Sequence, residues 1–179
     1  MLRYRFRQSG SLDKAFDGPV VLTITPKSGD HRAVDVAYLD GERKVALPAV
    51  DDARANPVIL YFLEQDVRDM HRRLGGSENY FRRRIRLAFA DGAEVRPASM
   101  LLDGKSVETT EVTIRPFVGD PMKAKLGAFE YKSYTFALSE RVPGQVLRLR
   151  SVVDDGTAPV GAGKGPLLED VLQFETAVQ

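Results

Sequence analysis

The chain has 179 residues, and its 26 lysines and arginines nearly balance its 25 aspartates and glutamates, which leaves a formal net charge of +1. This charge gives no general affinity for nucleic acid, and the absence of cysteine excludes thiol catalysis, disulfide bonds and thiolate metal sites. No apolar run reaches the length of about eighteen residues that a membrane-spanning helix needs. We therefore expect a single domain over residues 1–179, with a core that needs no metal or disulfide.

The N-terminal part of the chain is predicted to form strands. Leu2, Tyr4 and Phe6 alternate with three arginines, which is typical of a strand with one face in water. Further strands are predicted at residues 20–25, 31–39 and 44–47. Asp40-Gly41 predicts a tight hairpin turn between the last two of these strands.

A long helix is predicted from Asn56-Pro57 to Leu74, because asparagine can cap the first free amides and proline suits the first turn. Apolar residues at spacings of three and four predict its buried side: Leu60, Leu63, Val67, Met70 and Leu74. Residues 58–63 are apolar all round, so we expect the first turns to be covered on every side. Six charged residues are predicted to place the later turns in water: Glu64, Asp66, Arg68, Asp69, Arg72 and Arg73.

A second helix is predicted at residues 78–90. Gly75-Gly76 is typical of a helix end, and Ser77 can cap the helix that follows. Residues 84–90 also alternate as a strand would, and this alternative stays open from the sequence alone. If both segments are helical, they form an αα-hairpin with a short turn.

The C-terminal half returns to the pattern of strands. They are predicted at residues 95–102, 107–117, 131–138, 145–152 and 167–176. Asp103-Gly104 predicts a tight turn between the first two of them, and Asp120-Pro121 predicts a short helical turn. The segment from Thr157 to Pro166, which is rich in glycine and alanine, is interpreted as a loop.

About eight short strands, interrupted once by a helical pair, do not suit a parallel sheet, which needs a helix between most of its strands. The sequence therefore predicts the α+β class, with a curved antiparallel sheet or half barrel packed on a central helical hairpin. We expect the first helix to lie in the concavity of the sheet.

Seven arginines lie between residues 68 and 86, and they are the main concentration of charge in the chain. Guanidinium groups bind carboxylates, phosphates and anionic lipid headgroups in bidentate fashion. Arg72, Arg83 and Arg86 are the candidate anion contacts, since they lie near the Gly75-Gly76 turn or on the polar side of the hairpin. The alternative is a solvated face with ordinary ion pairs four residues apart.

Other motifs give weak signals for chemistry. His31 and His71 are far apart and have no metal-ligand spacing, so no metal is expected. Gly161 to Pro166 resembles a phosphate-binding loop, but it lacks the serine or threonine after Lys164 and the first glycine of that motif. No acid/base pair stands out among the carboxylates. We expect no cofactor and a protein that is not an enzyme.

Three segments carry a resemblance to known proteins: NPVILYFLEQDVRDM, GGSENYFRRRIRLAF and YKSYTFALSERVPGQVLRL. The region from Asn56 to Arg150 resembles a group of uncharacterised exported proteins and lipoproteins of Gram-negative bacteria. This resemblance implies a location in the periplasm or cell envelope, with a targeting segment that is not in this sequence; a cytoplasmic location is the alternative. The expected fold is also distantly similar to the outer-membrane lipoprotein carriers.

The sequence favours a non-catalytic envelope protein that binds a hydrophobic or anionic ligand. Its expected partners are a lipid or small anionic molecule, with peripheral contact to a membrane and none with nucleic acid. An envelope scaffold that acts through protein contacts is the alternative, and a hydrolase of unrecognised type is a more remote one. The sequence indicates no oligomeric state.

Overall fold

The computed structural model describes residues 1–154, 156 and 165–178. Within this part of the chain, nine strands lie at β1 Leu2–Ser9, β2 Phe16–Pro26, β3 Arg32–Tyr38, β4 Val50–Ala53, β5 Glu94–Leu102, β6 Lys105–Ile114, β7 Ser133–Leu138, β8 Val146–Val153 and β9 Leu168–Ala177. The helices are α1 Val58–Leu74, α2 Glu78–Gly92 and α3 Lys123–Leu126, with 3-10 turns at Gly41–Arg43 and Gly127–Tyr131. Residues 157–164, most of the predicted loop, lie outside the described residues.

All these strands form one antiparallel sheet in the order β4-β3-β2-β1-β9-β8-β7-β6-β5. Consecutive strands are neighbours within each half, and β9 joins the halves by pairing with both β1 and β8. No pairing links β4 to β5 among the residues described, so the sheet is open. The α1–α2 hairpin packs against it and shares its apolar core. The predicted α+β class, an antiparallel sheet on a helical hairpin, is confirmed.

The start and end of α1 agree with the sequence signals. The Val58 amide donates a hydrogen bond to Asn56 Oδ1 at 3.0 Å, which is the predicted cap. Gly75 follows the last helical residue with a φ of 69°, a left-handed conformation that costs glycine little. These local rules fix the helix bounds before any packing is considered.

The predicted burial of α1 is wrong in two respects. Leu60 is 64% exposed, whereas the neighbouring Tyr61 and Phe62 are buried, so the first turns are not covered on every side. Asp66 and Asp69, which were predicted to face water, are buried. The reason is that α1 packs on the sheet through a face centred on its aromatic residues. The helix is therefore rotated about its axis relative to the prediction, and this rotation turns both aspartates toward the sheet.

The second helix resolves the alternative for residues 84–90, which are helical. Phe81 and Ile85, one turn apart, are its buried residues and join the common core. Because α2 packs through this narrow stripe, Arg83 and Arg86 are exposed, whereas Arg82 and Arg84 are partly buried.

The strand predicted at residues 44–47 is wrong. After Asp40, the chain enters the 3-10 turn at Gly41–Arg43, and only Val45 makes a bridge, to Tyr38. The partner strand of β3 is instead β4, which begins at Val50, two residues beyond Pro48. Proline has no amide hydrogen to donate, so strand pairing resumes only after it.

Among the helices that the structure describes, none is long and apolar enough to cross a bilayer.

Candidate functional site

A groove lies beside the helical hairpin, where α1 and α2 meet the segment that leads into β4. Its volume is about 560 Å³, within the usual range of small-molecule sites. It is lined by Leu47, Pro48, Val50, Leu60, Tyr61, Leu63, Glu64, Val67, Arg68, Asn79, Arg82, Ile85 and Arg86. We call it the hairpin groove.

The floor of the hairpin groove is apolar because the rotation of α1 leaves part of its apolar surface uncovered. Leu60 and Leu63 lie in the groove, while Phe62, between them in sequence, is buried in the core. Leu47 and Pro48 form the opposite side. An exposed leucine beside other apolar side chains is the kind of surface that a ligand or partner covers.

Arginines and one glutamate form the polar part of the groove. Arg82 donates hydrogen bonds to Glu64 at 2.7 and 2.9 Å, and it also pairs with Glu78 at 2.6 Å. Arg68 donates to Glu64 at 3.3 Å and to the Ala46 carbonyl at 2.7 Å. The Arg82 hydrogen bond lowers the pKa of Glu64, which keeps that carboxylate charged at neutral pH.

Arg86 is the lining arginine that contributes uncompensated charge. It is exposed on α2, and no ion pair or hydrogen bond of its side chain is found within the described part of the chain. Among the described residues, the three guanidinium groups of this groove thus meet two carboxylates, those of Glu64 and Glu78. The groove therefore combines an apolar floor with excess positive charge.

The three candidate anion contacts from the sequence occupy different surroundings. Arg86 lines the hairpin groove, and Arg83 lies exposed on α2, three residues before it. Arg72 forms an ion pair with Asp69 and lines a different, polar pocket together with Gln8 and Arg43. No single pocket described here contains all three, and the idea that they share one anion stays a prediction.

A second polar feature is buried beneath α1. The strand register places Tyr134, Ser151, Asp170 and Gln8 side by side on β7, β8, β9 and β1. Directly paired residues point to the same face of a sheet, and all four are buried. Gln8 Nε2 donates a hydrogen bond to Asp170 Oδ1 at 2.8 Å. We call these four residues the polar row.

Asp66 of α1 contacts this row from above. Lys132, which is 0% exposed, donates from Nζ to Asp66 Oδ1 at 2.5 Å. The Tyr134 hydroxyl donates to Asp66 Oδ2 at 2.6 Å, and Ser151 Oγ lies 3.5 Å from Oδ1. The helix is thus attached to the centre of the sheet by a buried ion pair with further hydrogen bonds.

The charges under α1 do not balance. In the described part of the chain, two buried carboxylates, Asp66 and Asp170, face the single ammonium group of Lys132, while Asp69 has its own partners in Arg72 and Arg73. Burial raises the pKa of Asp170 to about 7; Lys132 opposes this rise and Asp66 adds to it. Burial and the negative charges of Asp170 and Asp66 also raise the pKa of Tyr38, whose buried hydroxyl has no hydrogen-bond partner in the described structure.

Sequence reasoning missed this buried cluster. Its members are far apart in the chain, since Asp66 and Lys132 are separated by 66 positions. One usable signal lies in β9, where Asp170 occupies the inward alternation of Leu168, Leu172 and Phe174. A charged residue on the apolar face of a predicted strand indicates a buried partner.

Comparison with protein families, curated proteins and solved structures finds no match for this chain. Among the residues described, no three histidine or carboxylate side chains are grouped so that they could hold a metal ion.

Proposed function

We propose that this protein is a non-catalytic binding protein of the cell envelope, and that the hairpin groove holds a single-chain amphiphile with an anionic headgroup. The observation that carries the proposal is the combination of an apolar floor around Leu60 with the unpaired guanidinium of Arg86. The envelope location rests on the sequence resemblance described above.

The chemistry of the groove matches the two ends of such a ligand. An alkyl chain laid along Leu60, Leu63 and Pro48 removes apolar surface from water, at about 25 cal/mol per Å² of buried area. A carboxylate or phosphate beside Arg86 gains a charge-assisted hydrogen bond. Arg68 and Arg82 are held in place by Glu64, so they add positive potential without having to be ordered on binding.

Calorimetric titration with three probes tests the proposal: dodecanoate, dodecyltrimethylammonium and butyrate. The first has both the chain and the anionic head, the second reverses the head charge, and the third shortens the chain. We expect dodecanoate to bind at least about tenfold more tightly than either of the others. The ammonium probe lacks the charge-assisted hydrogen bond, which contributes roughly 1.5–3 kcal/mol, and butyrate lacks most of the alkyl chain, which contributes about 0.8 kcal/mol per buried methylene group. Equal affinity for all three probes, or no binding of dodecanoate, contradicts the proposal.

Substitutions test whether the ligand binds in the hairpin groove. Arg86→Ala should weaken dodecanoate binding about tenfold or more through loss of the headgroup contact. Leu60→Ser should also weaken it, because it removes apolar surface from the floor of the groove. The matched control is Arg141→Ala, which removes an exposed arginine from the connection between β7 and β8, away from this groove. Arg83→Ala and Arg72→Ala show whether the other candidate arginines reach the same anion. A loss with Arg141→Ala equal to that with Arg86→Ala would indicate a nonspecific charge effect.

Peripheral membrane contact is a separate part of the proposal. The same arginines should draw the protein to vesicles that contain anionic lipid, and the attraction should weaken with salt because the Debye length is about 8 Å at physiological ionic strength. Sedimentation with anionic and neutral vesicles, at low and physiological salt, measures this. Equal sedimentation with both kinds of vesicle would show that the arginines do not draw the protein to anionic lipid, and no sedimentation with either would confine the function to soluble ligands.

A scaffold that acts through protein contacts is the second candidate. It is favoured by Val95 and Leu101, which are exposed on the edge strand β5. Pro97 lies between them and interrupts the row of amides that another strand would pair with. Any partner there would contact side chains and not extend the sheet.

A further inference from the structure

We infer that the centre of the fold is a proton-dependent clamp: a proton on the buried carboxyl group of Asp170, which lies beneath Asp66, keeps α1 attached to the sheet, and its loss loosens the helix. The inference is independent of any ligand in the hairpin groove. It arises from the unequal number of buried acids and bases beneath α1.

The geometry supplies the first argument. Asp170 lies between Gln8 and Ser151 in the polar row, and Ser151 also lies 3.5 Å from Asp66. Asp66 and Asp170 therefore approach the same position on the sheet, one from the helix and one from β9. Asp66 already holds Lys132 and the Tyr134 hydroxyl.

The charged and titratable groups around Asp170 come from several elements. Asp66 and Asp69 face it from α1, Lys132 and Tyr134 from β7 and the turn before it, and Tyr38 from β3. Only Lys132 among them brings a positive charge, and it is bonded to Asp66. Gln8, its direct hydrogen-bond partner, is neutral. A second negative charge here therefore has no counter-ion of its own among the residues that the structure describes, and a buried charge without one is costly.

The direction of the pH effect follows from the raised pKa of Asp170, about 7 in the folded protein against 3.8 for an ordinary aspartate. Between these pH values the folded protein holds a proton that the unfolded chain has released. Stability therefore falls as the pH rises from about 4 to about 7, and this contribution is constant above that. An aspartate in an ordinary ion pair would show the opposite slope.

The effect should be felt first by α1. Ionised Asp170 repels Asp66, which is the buried acceptor that attaches the middle of the helix to the sheet. Leu63 and Val67, on either side of Asp66 in sequence, line the hairpin groove. Loosening of the helix would therefore change the floor of the groove as well.

Thermal unfolding of the wild type and of Asp170→Asn, measured from pH 5 to pH 8.5, tests the clamp. Asparagine has nearly the same shape as protonated aspartic acid and can still accept a hydrogen bond from Gln8. The variant should melt higher than the wild type by a margin that is smallest at pH 5, grows by several degrees up to about pH 7 and stays constant above that. The matched control is Asp91→Asn, an exposed aspartate at the end of α2, which should follow the wild-type profile.

Hydrogen exchange locates the effect. At pH 8, amides of α1 from Phe62 to Met70 should exchange faster in the wild type than in Asp170→Asn, while both should be alike at pH 5.5. Carbon-13 NMR titration of the Asp170 carboxyl gives an independent measurement that does not depend on the variant, with an expected midpoint near neutral pH. A midpoint below pH 5, or parallel melting profiles for the wild type and Asp170→Asn, would overturn the inference.

Discussion

Each side of α1 carries an ion pair between a basic and an acidic side chain, but the two pairs have different surroundings. On the groove side, Arg82 and Glu64 form an ion pair in which the side chains are 34% and 26% exposed. On the sheet side, Lys132 and Asp66 form one in which they are 0% and 3% exposed. Water screens the first pair and is excluded from the second, so equal charges at similar distances have unequal energetic consequences.

The comparison separates two tasks within one helix. The groove side keeps charge that solvent or a ligand can reach, as a binding surface requires. The sheet side uses charge to fix the position of the helix, at the cost of an unbalanced carboxylate in Asp170. A charged residue on a helix is therefore informative only together with the direction in which it points.

The largest expected effect is on the sheet side. Lys132→Ala leaves Asp66 buried without its counter-ion and should destabilise the protein by roughly 3–5 kcal/mol in chemical denaturation. If this variant does not fold, Lys132→Met with Asp66→Leu provides the control, since an apolar pair of similar volume avoids the unpaired charge and should recover most of the stability. A loss below about 1 kcal/mol for Lys132→Ala would show that the pair is no more important than a surface one.

The groove side should respond much less. Arg82→Ala removes the contacts with Glu64 and Glu78, and we expect it to cost less than about 1 kcal/mol, because solvent reaches all three side chains. The effect should become smaller still in high salt. A loss comparable to that of Lys132→Ala, measured under the same conditions, would remove the distinction between the two sides.

Local signals in the sequence predicted the elements well. Asn56 and Gly75 set the bounds of α1, and Asp103-Gly104 correctly predicted the turn between β5 and β6. Such signals act within a few residues, so they need no knowledge of the rest of the fold. The strand predicted at 44–47 failed because Asp40-Gly41 leads into a 3-10 turn, which the dipeptide alone does not distinguish from a hairpin.

The orientation of α1 could not be predicted in the same way. Since residues 58–63 are all apolar, helical spacing permits more than one buried face, and the sheet selects the one that contains Phe62. That choice buries Asp66, which is possible because Lys132 lies beneath it, and no local pattern connects these two positions. Arg86 was found among the candidate residues, but the apolar groove beside it depends on how α1 is rotated.

The most direct test of the distinction between the two sides is a pair of double-mutant cycles, one for Asp66 and Lys132 and one for Glu64 and Arg82, with alanine at each position. Each cycle isolates the coupling within its pair from the other effects of the substitutions. We predict a coupling free energy of at least about 2 kcal/mol for the buried pair and below about 1 kcal/mol for the pair in the groove. Equal coupling in the two cycles would contradict the view that one side of α1 holds the fold together while the other is free to bind.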